Sequence, residues 1–325
     1  MASISWVEAG VIGLVQGVSE LFPVSSLGHS VLIPALVGGS WARDLSVSAP
    51  ESPYLAFIVG LHVATAIALL VFFRRDWVRI IGGILTSIRD RRVETADQRL
   101  GWMLVLGTIP VGLVGLLLEH PIRTALGRPV PAAIFLVVNG LMLAAAERMR
   151  RAGTRPGAHD VPDGAGGGNG GNGAGGRNGA DSADGPHGAV AADRRIAGMT
   201  YREAVLIGSA QIAALAPGIS RSGAAMVAGM ARGLRHEDAA RFSFLLATPV
   251  IFAAGVLKLP DLFGPLGNGI HGQVIFGSVL SGLGAYVSVR YLTRYFQTRS
   301  LNPFAVYCVA AGLVSLVVLG IRSFR

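Results

Sequence analysis

An all-α, polytopic membrane protein is the fold class this sequence predicts, and three observations predict it. Hydrophobic residues fill 51% of the 325 positions and charged residues only 14%. Six runs come near the roughly 20 apolar residues that cross a hydrocarbon core. Two further apolar stretches are interrupted by proline, glycine and serine, one at Pro23 and one at Pro217. Together they predict six transmembrane helices and two re-entrant helix hairpins in an inverted repeat. The first copy takes residues 1–151, a linker 152–193, and the second copy 194–325.

The first stretch, about Trp6 to Leu36, is broken at Pro23, which cannot continue a helix without losing a backbone bond. Each half is short for a full crossing and reads as one arm of a hairpin. After a polar connection, Tyr54 to Phe73 is the first clean span. Seven arginines follow before the next span: Arg74, Arg75, Arg79, Arg89, Arg91, Arg92 and Arg99. The positive-inside rule places that loop in the cytoplasm. Trp102 to Leu118 returns outward, with a kink expected at Pro110, and Val130 to Ala146 comes back in.

From Ala152 to Asp193 there is no aromatic residue, and 14 glycines are mixed with Asn, Ala, Asp and Pro. Such a composition cannot bury enough apolar surface to offset its ordering entropy, so a disordered cytoplasmic linker is expected. The second broken stretch follows Thr200, and three more spans complete the chain: Phe242 to Leu259, Gln273 to Leu292 and Pro303 to Gly320. Six spans starting outside leave both termini facing outward. Three spans per half turn the second copy upside down. In the first copy Pro23 follows Gln16 by seven residues, and in the second Pro217 follows Gln211 by six. Paired broken helices of this kind place a site at the repeat interface near the membrane midplane.

The net charge of +9 does not point to nucleic acid, because most arginines follow the membrane runs and read as topology signals. Cys308 is the single cysteine, so no intrachain disulfide forms. No basic n-region with a cleavage site opens the chain, and no removable signal peptide is expected.

The polar residues within the two breaks carry the chemistry. Gln16 and Glu20 share one helix face, one turn apart. Ser25, Ser26, Gly28 and His29 stand where a new helix starts with free N–H groups. In the second break, Arg221 lies at membrane depth, where a guanidinium costs at least about 2.5 to 3.5 kcal/mol and faces a cavity and a partner. Planar arginine grips phosphate at two points, and Gly218, Ser220, Ser222 and Gly223 let backbone N–H groups cradle an anion. Glu20 and His29 move protons, and Ser26 is a nucleophile for phosphorus. The set suits cleavage of a phosphate ester or phosphoanhydride.

Plainer readings stand beside this one. Glu20 and Arg221 also read as a buried structural ion pair, and Gln16, Ser25 and Ser220 as groups that satisfy freed backbone or bridge helices. His62, mid-span, reads equally as a core histidine or a site residue, and Asn139 as glue between helices.

The segments QGVSELFPVSSLGH and PGISRSG resemble the two signature motifs of the undecaprenyl-diphosphate phosphatase, or bacitracin-resistance, family. The likeness continues through FSFLLATPVIFAAG and NPFAVYCVAAGLV and spares only the glycine-rich insert. It implies an inverted-repeat enzyme of the bacterial plasma membrane. Such an enzyme releases phosphate from undecaprenyl diphosphate at the outer face and recycles the lipid carrier for cell-wall synthesis. Bacitracin resistance follows, since bacitracin competes indirectly by binding the substrate.

Carried over position by position, the family's paired acidic motif falls on Gln16 and Glu20, its serine turn and histidine on Ser25, Ser26 and His29, and its arginine motif on Ser220, Arg221 and Ser222. A divalent cation, Mg²⁺ or Ca²⁺, is implied, with Glu20 and Gln16 as candidate ligands. Many relatives carry Glu at the position of Gln16 and end the arginine motif in Thr where this chain has Ala225. A Gln is common near the position of His62.

One rival reading is a flippase of the polyprenyl phosphate carrier built on the same repeat, against which the acid/base set beside an anion clamp speaks. A type 2 phosphatidate phosphatase is set aside: its first motif needs a lysine ahead of an Arg-Pro pair, and Lys258, the only lysine, precedes none.

Overall fold

The computed structural model describes residues 4–46, 53–153, 186–264 and 267–323. Among them every regular element is helical. In chain order these are α1 (Trp6–Ser19), α2 (Ser26–Val37), α3 (Gly39–Asp44), α4 (Pro53–Phe72), α5 (Arg74–Asp90), α6 (Ala96–Leu126) and α7 (Pro129–Gly153). Then come α8 (Pro186–Ala197), α9 (Tyr201–Ala210), a 3₁₀ turn (Gln211–Leu215), α10 (Arg221–Ala231), α11 (His236–Phe263), α12 (His271–Thr298) and α13 (Asn302–Ser323).

Among the described residues six helices are long and apolar enough to cross a membrane: α4, α6, α7, α11, α12 and α13. They are the six expected spans, most of them longer than the apolar runs alone suggested. α6 runs unbroken through both Pro110 and Pro121. At 1.5 Å per residue, α1 and α2 are only about 21 and 18 Å long, too short to cross. Each pair α1/α2 and α9/α10 is a helix, a break at proline, and a second helix, as a re-entrant hairpin requires.

Both hairpins begin alike. Ser5 and Glu8 form a capping box on α1, and Thr200 and Glu203 form one on α9. Eight residues after each glutamate stands a buried glutamine, Gln16 or Gln211. The tertiary pairing is also matched: α1 packs on α12 as α9 packs on α6, while α4 meets α11 and α7 meets α13. That exchange of partners is compatible with two inverted copies.

Close backbone approach sets these pairings. A Cβ on Gly13 or Gly17 of α1 would strike the backbone of Gly277 or Ser281 on α12, and one on Gly208 of α9 would strike Gly107 on α6. Small residues four apart let membrane helices touch in this way. Arg322 of α13 donates to the carbonyls of Ala35 and Leu36 at 2.8 and 2.7 Å, capping the open end of α2.

Two segments differ from expectation. The arginine-rich stretch after α4, expected as a loop, is the amphipathic helix α5. Trp77, Ile80 and Ile84 line a groove against α6, while Val78, Ile81, Leu85 and Ile88 are exposed. The arginines masked this spacing. Of the expected linker, residues 154–185 lie outside those described. Its two ends are helical: α7 continues through Gly153, and Pro186 opens α8. The glycine-rich composition in fact stops at Gly185, and an alanine-rich, helix-forming run follows.

Asp193 on α8 is buried and accepts from Arg79 at 2.6 Å and from Arg241 at 2.8 and 3.0 Å. Asp76 bonds the same two arginines at 2.7 and 2.9 Å. Burial works against the Arg79 charge, but its bonds to Asp193 and Asp76 outweigh that and raise its pKa. This network ties α5, α8 and α11 together.

Candidate active site at the crossing of two helix breaks

The backbone of the first break turns at Glu20–Val24, so that Ser26, at the first position of α2, folds back onto the end of α1. Ser25 caps α2 with φ at 69°, a left-handed conformation that costs a non-glycine residue about 1 to 3 kcal/mol. Its side chain explains why it is held there. Ser25 Oγ accepts from the N–H groups of Gly28 and Gly218, each at 3.2 Å, and so stitches one break to the other. Gly218 itself has φ at 112°, and a Cβ there would meet Phe135 and the backbone of Ala132 and Leu136. No other residue type fits.

Asn139 of α7, fully buried, completes the crossing. Its amide donates to the Pro23 carbonyl at 2.9 Å, and its oxygen accepts from Ser220 N at 2.9 Å. Asn139 is thus glue, as its sequence context suggests, and what it joins are the two breaks. Ser220 caps α10 by accepting from Gly223 N at 3.1 Å, and Ser220 and Ser222 both donate to the Phe22 carbonyl, at 3.4 and 3.3 Å. These two serines, expected in an anion cradle, have protein partners that satisfy the freed backbone.

At the centre lies Glu20, with its side chain 5% exposed. One carboxylate oxygen, Oε1, accepts from Arg221 Nη2. The other, Oε2, accepts from Ser26 Oγ and from Gln16 Nε2, the latter at 2.8 Å. His62 of α4 joins them: its Nε2 accepts from Gln16 Nε2 at 3.2 Å and stands 3.5 Å from Glu20 Oε2. Gln16, Glu20, Ser26 and Arg221 are therefore brought together as expected, and His62 belongs with them. Its sequence signal was a lone imidazole within an apolar span.

His29 is not part of this cluster. Its Nδ1–H donates to the Ser25 carbonyl at 2.6 Å and its Nε2 accepts from Tyr307 at 2.7 Å, with the two rings stacked at 5.8 Å. Tyr307, on α13, carried no sequence signal. Among the described residues no three His, Cys, Asp or Glu side chains cluster as a metal site. One unused acceptor is present: Gln16 Oε1 is buried without a hydrogen-bond partner.

Chemically, a serine hydroxyl bonded to a carboxylate can act as a nucleophile with its base. The same carboxylate neutralises an arginine that is 84% buried and fit to hold an anion in its place.

Known proteins resemble this chain over nearly its full length. Two relatives named undecaprenyl-diphosphatase, from Mycolicibacterium paratuberculosis and Mycobacterium avium, are 62% and 61% identical to this chain. In both cases 99% of each chain is covered. Undecaprenyl-diphosphatase 1 of Frankia casuarinae is 54% identical over 99% of this chain and 100% of its own length. The family model described as bacitracin resistance protein BacA matches residues 9–314, spanning both helix breaks, and the chain belongs to that family.

Proposed function

We propose that this chain hydrolyses undecaprenyl diphosphate to undecaprenyl phosphate and phosphate, recycling the lipid carrier for cell-wall synthesis and conferring bacitracin resistance. The carrying observation is the single carboxylate of Glu20, which holds the Ser26 hydroxyl on one oxygen and Arg221 on the other. Near-full-length likeness to proteins named undecaprenyl-diphosphatase supplies the substrate.

In this reading the terminal phosphate takes Arg221 away from Glu20 Oε1 and is gripped by the guanidinium at two points. Glu20 accepts the Ser26 proton as Ser26 Oγ attacks the terminal phosphorus. The bond from that phosphorus to the bridging oxygen breaks, and undecaprenyl phosphate leaves with the proton that Glu20 had taken, so Glu20 is a carboxylate again. Water, deprotonated by Glu20, then attacks the phosphorus, the bond to Ser26 Oγ breaks, and Ser26 takes that proton back from Glu20 as phosphate leaves. His29 acts as a positioning residue: it anchors the Ser25 carbonyl, and so the turn that presents Ser26, to α13.

A divalent cation fits beside these groups, because Glu20 Oε2 and the unpartnered Gln16 Oε1 are oxygen donors on one helix face. Bound, it would neutralise charge between the phosphates. The arginines of α5 and of the loop after it favour an orientation with that end in the cytoplasm of a plasma-membrane protein. In this reading the active site is reached from the outer face, where bacitracin sequesters the substrate.

The test is phosphate release from undecaprenyl diphosphate by purified protein in detergent, with and without EDTA. Release that vanishes in Ser26→Ala and Glu20→Gln is expected. Transport of the carrier between leaflets without any phosphate release would replace this reading with that of a flippase.

A further inference from the structure

We propose that His62 is a nitrogen ligand of the divalent cation at this site, which makes the site select first-row transition ions over calcium. The proposal rests on the cation-assisted reading above and adds to it the donor that decides which ion binds.

For the neutral ring, the tautomer is set by its neighbours. His62 Nδ1 lies 2.9 Å from the Ile58 carbonyl. A carbonyl can only accept, so Nδ1 carries the hydrogen and Nε2 carries the lone pair. An imidazole fixed by a backbone carbonyl at one nitrogen, with the other free to donate electrons, is the arrangement of metal-bound histidines. That lone pair faces Gln16 and Glu20, both from α1, whereas His62 comes from α4.

The spacing suits a shared ion. Two donors bound at about 2.1 Å stand about 3.0 Å apart at right angles and about 3.4 Å apart at a tetrahedral edge. His62 Nε2 and Glu20 Oε2 are 3.5 Å apart. Gln16 is 1% exposed and keeps its carbonyl oxygen unpartnered. Rotating that amide turns its oxygen toward the same two donors. Three acceptors then converge, and a cation is what such a group attracts. His62 is 28% exposed, so the ion has a path in.

Imidazole suits the later first-row transition ions, whereas calcium takes only oxygen, and manganese stands lowest of that row in affinity for such a donor. With a single carboxylate in the protein's share, the remaining positions fall to phosphate oxygens of the substrate.

The experiment is electron paramagnetic resonance of Mn²⁺ added to the purified, untagged protein in detergent, with pulsed detection of nitrogen coupling. The expected result is a ¹⁴N coupling that changes to ¹⁵N when histidine is isotopically labelled. It should disappear in His62→Gln, with Mn²⁺ affinity lowered at least about tenfold, and persist in His29→Gln. Should His62→Gln not fold, His62→Cys with Co²⁺ should show a sulfur-to-cobalt charge-transfer band. Bound Mn²⁺ with no nitrogen coupling overturns the proposal, as does coupling that survives in His62→Gln. Failure to bind Mn²⁺ also overturns it. Phosphate release by the same preparation in EDTA would then leave the phosphatase reading standing.

Discussion

Replacing Arg221 with lysine keeps the positive charge and removes the planar fork. In the resting site that exchange is mild, because Glu20 Oε1 takes only one hydrogen bond from Arg221, through Nη2. An ammonium can supply one bond, so folding stability should change by less than about 1 kcal/mol. The substrate complex is different. A two-point grip on phosphate becomes a single contact, losing one hydrogen bond to a charged group. Such a bond is worth about 1.5 to 3 kcal/mol, or roughly ten- to two-hundred-fold in rate.

Arg221→Met separates the two effects. It leaves Glu20, 5% exposed, as an unpaired buried carboxylate, at a cost of about 3 to 5 kcal/mol in stability. Thermal unfolding in detergent and phosphate release, measured on the same samples at matched concentration, give both quantities. Turnover of Arg221→Lys within threefold of wild type, at unchanged melting temperature, would refute the clamp.

Three further expectations follow from the packing. Asn139→Ala leaves the Ser220 N–H without its partner, at about 1 to 3 kcal/mol, and leaves the Pro23 carbonyl only the long contact to Cys308 Sγ at 3.8 Å. It should lower the melting temperature and also reduce phosphate release, because the two breaks lose their register. Asp193→Ala removes a buried carboxylate shared by Arg79 and Arg241, while Asp76 still bonds both. A loss of about 1.5 to 3 kcal/mol is expected in unfolding, with turnover per folded molecule unchanged. Gly17→Val places a branched side chain against the backbone of Ser281, so α1 cannot seat on α12. Protein recovered from membranes should fall sharply, and Gly115→Val, where a Cβ meets nothing, should not share the defect.

The sequence showed most of what is local. Proline in an apolar run breaks a helix wherever it cannot be accommodated, so the ends of α1 and the start of α2 were legible at Pro23, and those of the second hairpin at Pro217. The rise of an apolar helix against bilayer thickness made the six spans countable. What depends on helix rotation was not legible. Whether His62 points at Glu20 or into a core is decided by how α4 sits beside α1, and α1 in turn is placed by Gly13 and Gly17 against α12. His29, one turn beyond Ser25, reads from the sequence as a second proton-moving group of the site beside Glu20. Its ring is drawn to Tyr307 on a helix 278 residues away. α5 was obscured because its arginines outweigh its isoleucines in any average. The helical start at Pro186 was obscured because the low-complexity tract before it coloured its neighbours.

The most direct test of the central claim, that Ser26 is the nucleophile and Glu20 its base, is the stereochemical course at phosphorus. Each in-line displacement inverts the phosphorus centre. Two displacements, through Ser26 and then water, return it to its starting configuration. Undecaprenyl diphosphate with a chiral, isotopically labelled terminal thiophosphate should therefore yield thiophosphate of retained configuration. Inversion would mean a single displacement by water and would contradict the assignment of Ser26.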